Sequence, residues 1–452
     1  MKKLSIYLLA FGALIATGCD KNLDLKNPQA IDADDAFTTD AKVKKVLVGN
    51  YAAMNAVGLF GGDVIWESEL MGSAGDLNWV GTFPDPRQIW SKNILINNRN
   101  VAGTYAAAYR VITNSNNILA NLGVVEAADQ GKVKGEALFQ RAMAYFELIK
   151  FFGEKPWFAG SPNTLKGVPL ITTAGPSAPQ DPFYQVPRAS VDAVYTQIIA
   201  DLTAAEAALP DDNAEFANKS SAALCLARVY LQMDKFAEAR DAANRSINSA
   251  IAGGFALETN YEDAFNLSGA NSTETLFAMQ VTTQAGNNSA FTFFSTGTYG
   301  ARDGDIEVTD DHINKYPAGD LRKDLFFFEN GAWHTGKWRD PNCNVVLMRL
   351  AEAYITRAEM NHRLGTSVGA TPAADLNLIR NRAGLGNIAA PTLQNILDER
   401  EREIAFEGQG LWDAKRLRQT VDGKAWNDNK MTFPIPLAER NVNPNLDQNP
   451  GY

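Results

Sequence analysis

"SSAALCLARVYLQMDKFAEARDAANRSI", residues 220–247, decides the architecture. Ala223, Ala227, Tyr230, Phe236, Ala239 and Ala243 alternate small and large in a helix–turn–helix pattern, which resembles a tetratricopeptide repeat. Small residues let two helices approach closely and the large ones fill the remaining gap, so the pattern describes packing before it describes function. Its aromatics read as core.

A fainter echo appears at 345–365 and 370–386, with Ala351, Tyr354 and Ala358 in comparable positions. On the other side, 103–122 and 131–153 read as an antiparallel helix pair closed by Gly153 and Pro156. In 187–210, Ser190 caps a helix, Asp192 suits its positive end and Pro210 stops it. The expected fold is mainly α: tetratricopeptide-like helix-turn-helix repeats forming an α-α superhelix, with scaffold segments at about 100–265 and 343–418. Stretches 58–95, 153–186 and 266–342 break the pattern and are rich in Gly, Pro, Asn, Asp and aromatics. They exceed the length of ordinary structureless connections, so they read as organised loop-rich lobes, where binding residues concentrate.

The chain has 452 residues, 45% of them hydrophobic, and a net charge of −10, which supports a large core and argues against a nucleic-acid partner. At the start, Lys2 and Lys3 precede an apolar run over 4–16 that closes on Thr17 and Gly18. This run is too short to span a bilayer, which takes about 20 apolar residues, and reads as a signal peptide over 1–18. Cys19 follows directly, and Ala16-Thr17-Gly18-Cys19 resembles a bacterial lipobox, making Cys19 the lipidated first residue. Acyl chains contribute about 0.8 kcal/mol per buried CH₂, so Cys19 is an anchor, not a catalyst. Polar, turn-prone residues make 19–34 a tether, and 35–452 is expected to form a single domain. Cys225 and Cys343 read as small buried hydrophobes rather than a disulfide pair.

Several further stretches resemble the SusD/RagB lipoproteins. They are "GEALFQRAMAYFELIKFFGEKPWF", "GVPLIT" (167–172), the 187–210 helix, "TETLFAMQ" (273–280), "MRLAEAYITRAE" (348–359), "ILDEREREIAFEGQGLWDAKRL" (396–417) and "TFPIPLAERNVNPNLDQNPGY" (432–452), in matching order and spacing. The resemblance implies a non-catalytic, surface-exposed outer-membrane lipoprotein that captures oligosaccharides, or in some members peptides. It also implies a SusC-like TonB-dependent transporter as partner. Asp20 fits the family's acidic export signal, from which Lys21 and Asn22 depart.

The residues offer other chemistries less support. Hydrolysis calls for paired carboxylates. Asp398, Glu399, Glu401, Glu403 and Glu407 lie along one predicted helix among Arg400 and Arg402, as ion pairs do, and Glu67 and Glu69 would share a face if extended. The alternatives to a nutrient-binding protein are therefore a glycoside hydrolase and a helical scaffold that binds only proteins. His312, His334 and His362 are far apart and form no zinc motif. In "DGDIEVTDD" (303–311), Asp303, Asp305 and Glu307 alternate like calcium-loop ligands, but Val308 and Asn314 stand where that loop needs glycine and a final glutamate. It reads as a solvated acidic loop, with calcium the alternative, and no cofactor is expected. No phosphate-binding glycine motif is present.

A sugar binder needs flat aromatic platforms beside polar groups. Two loops offer them: "ESELMGSAGDLNWVGTFPDPRQIW" and "FTFFSTGTYGARDGD". The expected platforms are Trp79 and Tyr299, with Asn78, Arg302 and Asp303 as polar partners and Phe83 and Trp333 as secondary contacts.

Overall fold

Helix pairs dominate the computed structural model, which describes residues 35–158, 165–175, 185–284, 286 and 288–452. The signal peptide, Cys19 and the tether to residue 34 lie outside the described residues. The first part of the chain forms α1 (Asp40–Met54), α2 (Asp63–Gly72), β1 (Leu77–Trp79), α3 (Pro84–Trp90), α4 (Arg99–Ala120) and α5 (Gln130–Phe152). There follow β2 (Lys166–Pro169), β3 (Arg188–Ser190), α6 (Val191–Ala208), α7 (Lys219–Gln232) and α8 (Phe236–Ala252). The middle holds β4 (Thr275–Met279), α9 (Ser289–Phe294), β5 (Ile306–Val308), α10 (Asp310–Ile313), β6 (Phe326–Glu329) and β7 (Ala332–Thr335). The last part holds β8 (Val345–Arg349), α11 (Leu350–Leu364), α12 (Pro372–Arg382), α13 (Leu393–Ile404) and α14 (Gly410–Arg416).

Neighbouring helices stack in order: α4 on α5, α5 on α6, α6 on α7 and α7 on α8, then α8 on α11 and α11 on α12 and α13. The expected pairs are present. Ala222, Ala223, Ala227, Ala239, Ala242 and Ala243 are fully buried between α7 and α8, close enough for the Ser220 and Ser246 hydroxyls to bond at 3.1 Å. Ser190 caps α6 by accepting the Ala193 N–H at 3.1 Å. At the centre, every residue of α5 from 135 to 152 is buried. Its charges are satisfied internally, Arg141 by Asp201 at 2.6 Å and Lys150 by Glu147. Cys225 and Cys343 are buried and free.

Three expectations need correction. First, 58–95 contains α2 and α3; α2 is buried on every side, so it has no polar face to give an amphipathic period. Second, the helix read over 345–365 begins only at Leu350. Val345–Arg349 is strand β8, whose β-branched residues pair antiparallel with β4. Third, the single helix read through Asp398 to Glu407 breaks after Ile404. Phe406 sits at φ 64° and Gly408 at φ 82°, so Glu407 lies in a turn between α13 and α14.

The two buried carboxylates of α13, Glu399 and Glu403, are structural. Glu403 meets Arg349 at 3.0 Å and Arg322 at 3.2 Å and also pairs with Arg382, while Glu399 meets Arg322 at 2.6 Å and Arg380 at 2.9 Å. Arg349 joins Glu274 and Glu407 to the same network. The three arginines hold Glu403 well below the ordinary carboxylate range against the opposing effect of its burial.

Candidate functional site

A four-stranded antiparallel sheet in the order β1-β5-β7-β6 brings the two aromatic loops together. β1 pairs with β5 so that Leu77 faces Val308, Asn78 faces Glu307 and Trp79 faces Ile306. Alternation along the pleat then settles two expected site residues. Asn78 points to solvent, whereas Trp79 is 2% exposed, packed against Trp66 at 6.5 Å and Phe293 at 5.5 Å. Trp79 is therefore part of the wall behind the site and offers no platform. The alternation in "LNW" is its sequence signal.

Beyond β1 the chain turns against the 300–305 loop. The N–H of Val80 donates to the Asp305 carbonyl at 2.9 Å, and a Cβ on Gly81 would fall 2.5 Å from the Asp305 carboxyl carbon, so only glycine fits. This contact carries Phe83, which is 42% exposed, under Arg302; the guanidinium carbon lies 4.1 Å from the ring centroid. Arg302 is held by Asp305 at 2.6 Å and reaches Thr82 Oγ1 at 3.4 Å. Solvent thus meets a guanidinium laid over an aromatic ring, next to the exposed Asp303.

Tyr299 is half-buried, 5.3 Å from Phe327, with the Arg339 guanidinium 5.8 Å from its ring. Trp333 is half-buried on β7, and its indole N–H donates to Asp310 at 3.1 Å. The sequence reading missed Phe328, 59% exposed and edge-on to Trp333 at 5.1 Å. It also missed Glu329, which accepts the Thr296 and Thr298 hydroxyls at 2.6 and 2.5 Å; these bonds hold its carboxyl below the ordinary value. The signal was available: Asn330-Gly331, at φ 53° and 86°, is the tight-turn dipeptide of a hairpin that pairs β6 with β7.

Glu67 and Glu69 do not form a catalytic pair. They lie on helix α2, where residues two apart diverge: Glu67 accepts from Thr104 at 3.1 Å, and Glu69 accepts the N–H groups of Gly408 and Gly410 at 2.7 and 3.1 Å. Burial pushes Glu67 well up and Glu69 to about 7. The calcium-like ligands do not converge either, since Asp303 is exposed, Asp305 is bound to Arg302 and Glu307 stands on β5. Among the described residues no group of three His, Cys, Asp or Glu side chains is placed to hold a metal.

Residues 21–231 match the family described as starch-binding and associating with the outer membrane, and residues 258–452 match the SusD family. The SusD-like protein P2 of Formosa agariphila is 27% identical, with all of both chains covered. The starch-binding protein SusD of Bacteroides thetaiotaomicron is 32% identical over 25% of this chain and 22% of its own. A SusD superfamily protein from Bacteroides vulgatus has the same fold, with TM-score 0.81 and 25% identity over 92% of this chain and all of that one. With a mainly helical, tetratricopeptide-like fold, and with both halves matching in order, this chain belongs to the SusD/RagB family.

Proposed function

We propose that the protein is a lipid-anchored, cell-surface binder that captures oligosaccharides and hands them, unchanged, to a SusC-like TonB-dependent transporter. Cys19 is the anchor, 19–34 the tether and 35–452 one domain; a large hydrophobic cluster that takes in buried residues from Met54 to Leu446 supports the last point. The ligand rim consists of Asn78, Phe83, Tyr299, Arg302, Asp303 and Trp333, with Phe328 added. The observation that carries this reading is the junction of two distant loops through Arg302 and Phe83, which leaves aromatic and charged groups side by side at the surface. A sugar ring presents a C–H face ringed by hydroxyls, and such a surface complements both. The starch-binding relative supports the choice of glycan over peptide.

Each aromatic contact contributes about 0.5–1.5 kcal/mol, and a millimolar Kd corresponds to only about −4 kcal/mol, so a few contacts suffice. Weak binding suits a protein that must release its ligand to a channel. The test is calorimetric titration of the purified chain with a panel of oligosaccharides and short peptides, each checked afterwards for cleavage. Heat from a glycan, lost in Phe83→Ala or Tyr299→Ala and without cleavage, supports the proposal. Cleavage by the pure protein, or heat from peptides alone, overturns it.

A further inference from the structure

A cavity of about 410 Å³ opens between α2, α13 and α14. It lies at the opposite end of β1 from the rim described above. Asp76, just before the strand, lines the cavity, whereas Val80, just after it, joins the rim; an extended step of that length covers about 13 Å. Five carboxylates line the cavity: Glu69, Asp76, Asp398, Glu401 and Asp413. Three are matched by cations. Asp76 and Glu401 share Lys315 at 2.6 Å each, and Asp413 lies between Arg400 at 3.0 Å and Arg416 at 2.5 Å. Arg363, also in the wall, is paired with Glu359.

Glu69 and Asp398 have no cation within ion-pair distance among the described residues. Among the described residues, Asp398 accepts only from the Gln394 amide, at 2.6 Å. Glu69, 6% exposed, takes both of its backbone N–H bonds on Oε1, which leaves Oε2 without a donor among the described residues in the wall of the cavity. Burial raises this carboxyl to about 7, against the opposing effects of its two N–H bonds and of the more distant Lys337. A carboxylate this enclosed ordinarily finds a partner.

We infer that this cavity is a second ligand site, taking a primary ammonium group on a small organic body through Glu69 and Asp398. Two carboxylates are too few for a calcium ion, which takes six to eight oxygens, and no metal-competent cluster is present among the described residues. Leu397, Ile404 and Phe406 supply apolar wall for the body that carries the charge. The ammonium can belong to an amino sugar or to a lysine side chain, and the experiment separates the two.

The full chain, purified in detergent, is titrated calorimetrically with a glucosamine disaccharide and with an N-terminally blocked lysine dipeptide. Each is run beside its amine-acetylated form. Binding of either amine, at least about tenfold weaker after acetylation, supports the site and names its source. Glu69→Gln keeps the acceptor for the two N–H groups but turns an amide toward the cavity, and is expected to weaken amine binding about ten- to a hundredfold. Asp398→Asn, on the half-exposed rim, is expected to weaken it by about tenfold and decides the matter if Glu69→Gln does not fold. Phe83→Ala is expected to leave lysine-dipeptide binding, and the affinity ratio between the free and acetylated disaccharide, intact, which separates this site from the glycan rim. Silence from both amines, equal binding of the acetylated forms, or wild-type affinity in folded variants overturns the inference.

Discussion

The guanidinium of Arg302 sits 4.1 Å from the ring centroid of Phe83, a contact between the first and second halves of the chain that exists only because β1 and β5 pair. Behind it, Phe293 touches both Phe83, at 6.3 Å, and Trp79, at 5.5 Å. The three aromatics form one stack running from solvent into the core, so neighbouring substitutions along it should have opposite consequences.

Phe83→Ala removes a ring that is 42% exposed and should cost less than about 1 kcal/mol of stability while weakening glycan binding roughly three- to tenfold. Trp79→Ala empties a buried site and should cost about 3–5 kcal/mol. Denaturant unfolding read beside ligand titration separates them; equal stability loss in both would contradict the assignment of Trp79 to the wall.

The arginine–carboxylate network should set the acid limit of the fold. Glu403, Glu407, Glu359 and Asp413 are all held below their ordinary values by neighbouring arginines, with Lys337 adding to the effect at Glu403 and Glu407, against the opposing effect of burial. A carboxyl with a depressed folded pKa contributes stability that is complete above its unfolded value of about 4 and is lost as pH falls toward the folded value. Urea midpoints should therefore drop steeply below about pH 4. Removing one buried partner, as in Arg349→Ala, should cost about 3–5 kcal/mol at neutral pH, because Glu274, Glu403 and Glu407 would be left short of counter-charge.

Glu69 acts in the opposite sense. Its carboxyl, raised by burial to about 7, makes the folded state bind more protons than the unfolded state between about pH 4 and 7, so stability falls as pH rises through that window. Glu69→Gln abolishes this contribution. The difference in stability between pH 5 and pH 8 should shrink in the variant, and an unchanged pH profile would show that Glu69 does not titrate there.

Helix α2 meets α14 at Gly72, where a Cβ would lie 2.2 Å from the Gly410 carbonyl carbon. Because the obstacle is backbone, neither helix can yield by a rotamer change. Gly72→Ala should cost about 1–3 kcal/mol by forcing the two helices apart, with a lowered Tm as the readout. The same change should disturb the cavity between them and weaken any amine that binds there.

The repeat pairs were legible because their small residues recur at helical spacing, and Ser190 and Pro210 punctuate α6 with ordinary capping and stop chemistry. Less legible was α2, because a helix buried on all sides shows no period. Strand β8 was hidden inside what reads as a longer helix, since short apolar runs do not distinguish the two conformations. At the rim, Asn78, Phe83, Arg302 and Asp303 were found as residue types suited to sugars, but whether an aromatic faces solvent or core was beyond that kind of reading. Trp79 and Phe83, four residues apart, fell on opposite sides of that division.

A helical-repeat scaffold, the resemblance to a family of uptake lipoproteins and the two loops that carry aromatics are legible in the chain alone, because local spacing and motif order are its own properties. Which aromatics are reachable, the divergence of Glu67 and Glu69, and the placing of Glu69 and Asp398 in one cavity with no ion-pair partner among the described residues are set by tertiary contacts. Those facts depend on strand pairing and helix contacts between residues hundreds of positions apart, where burial and electrostatic balance are set by neighbours that local sequence does not name.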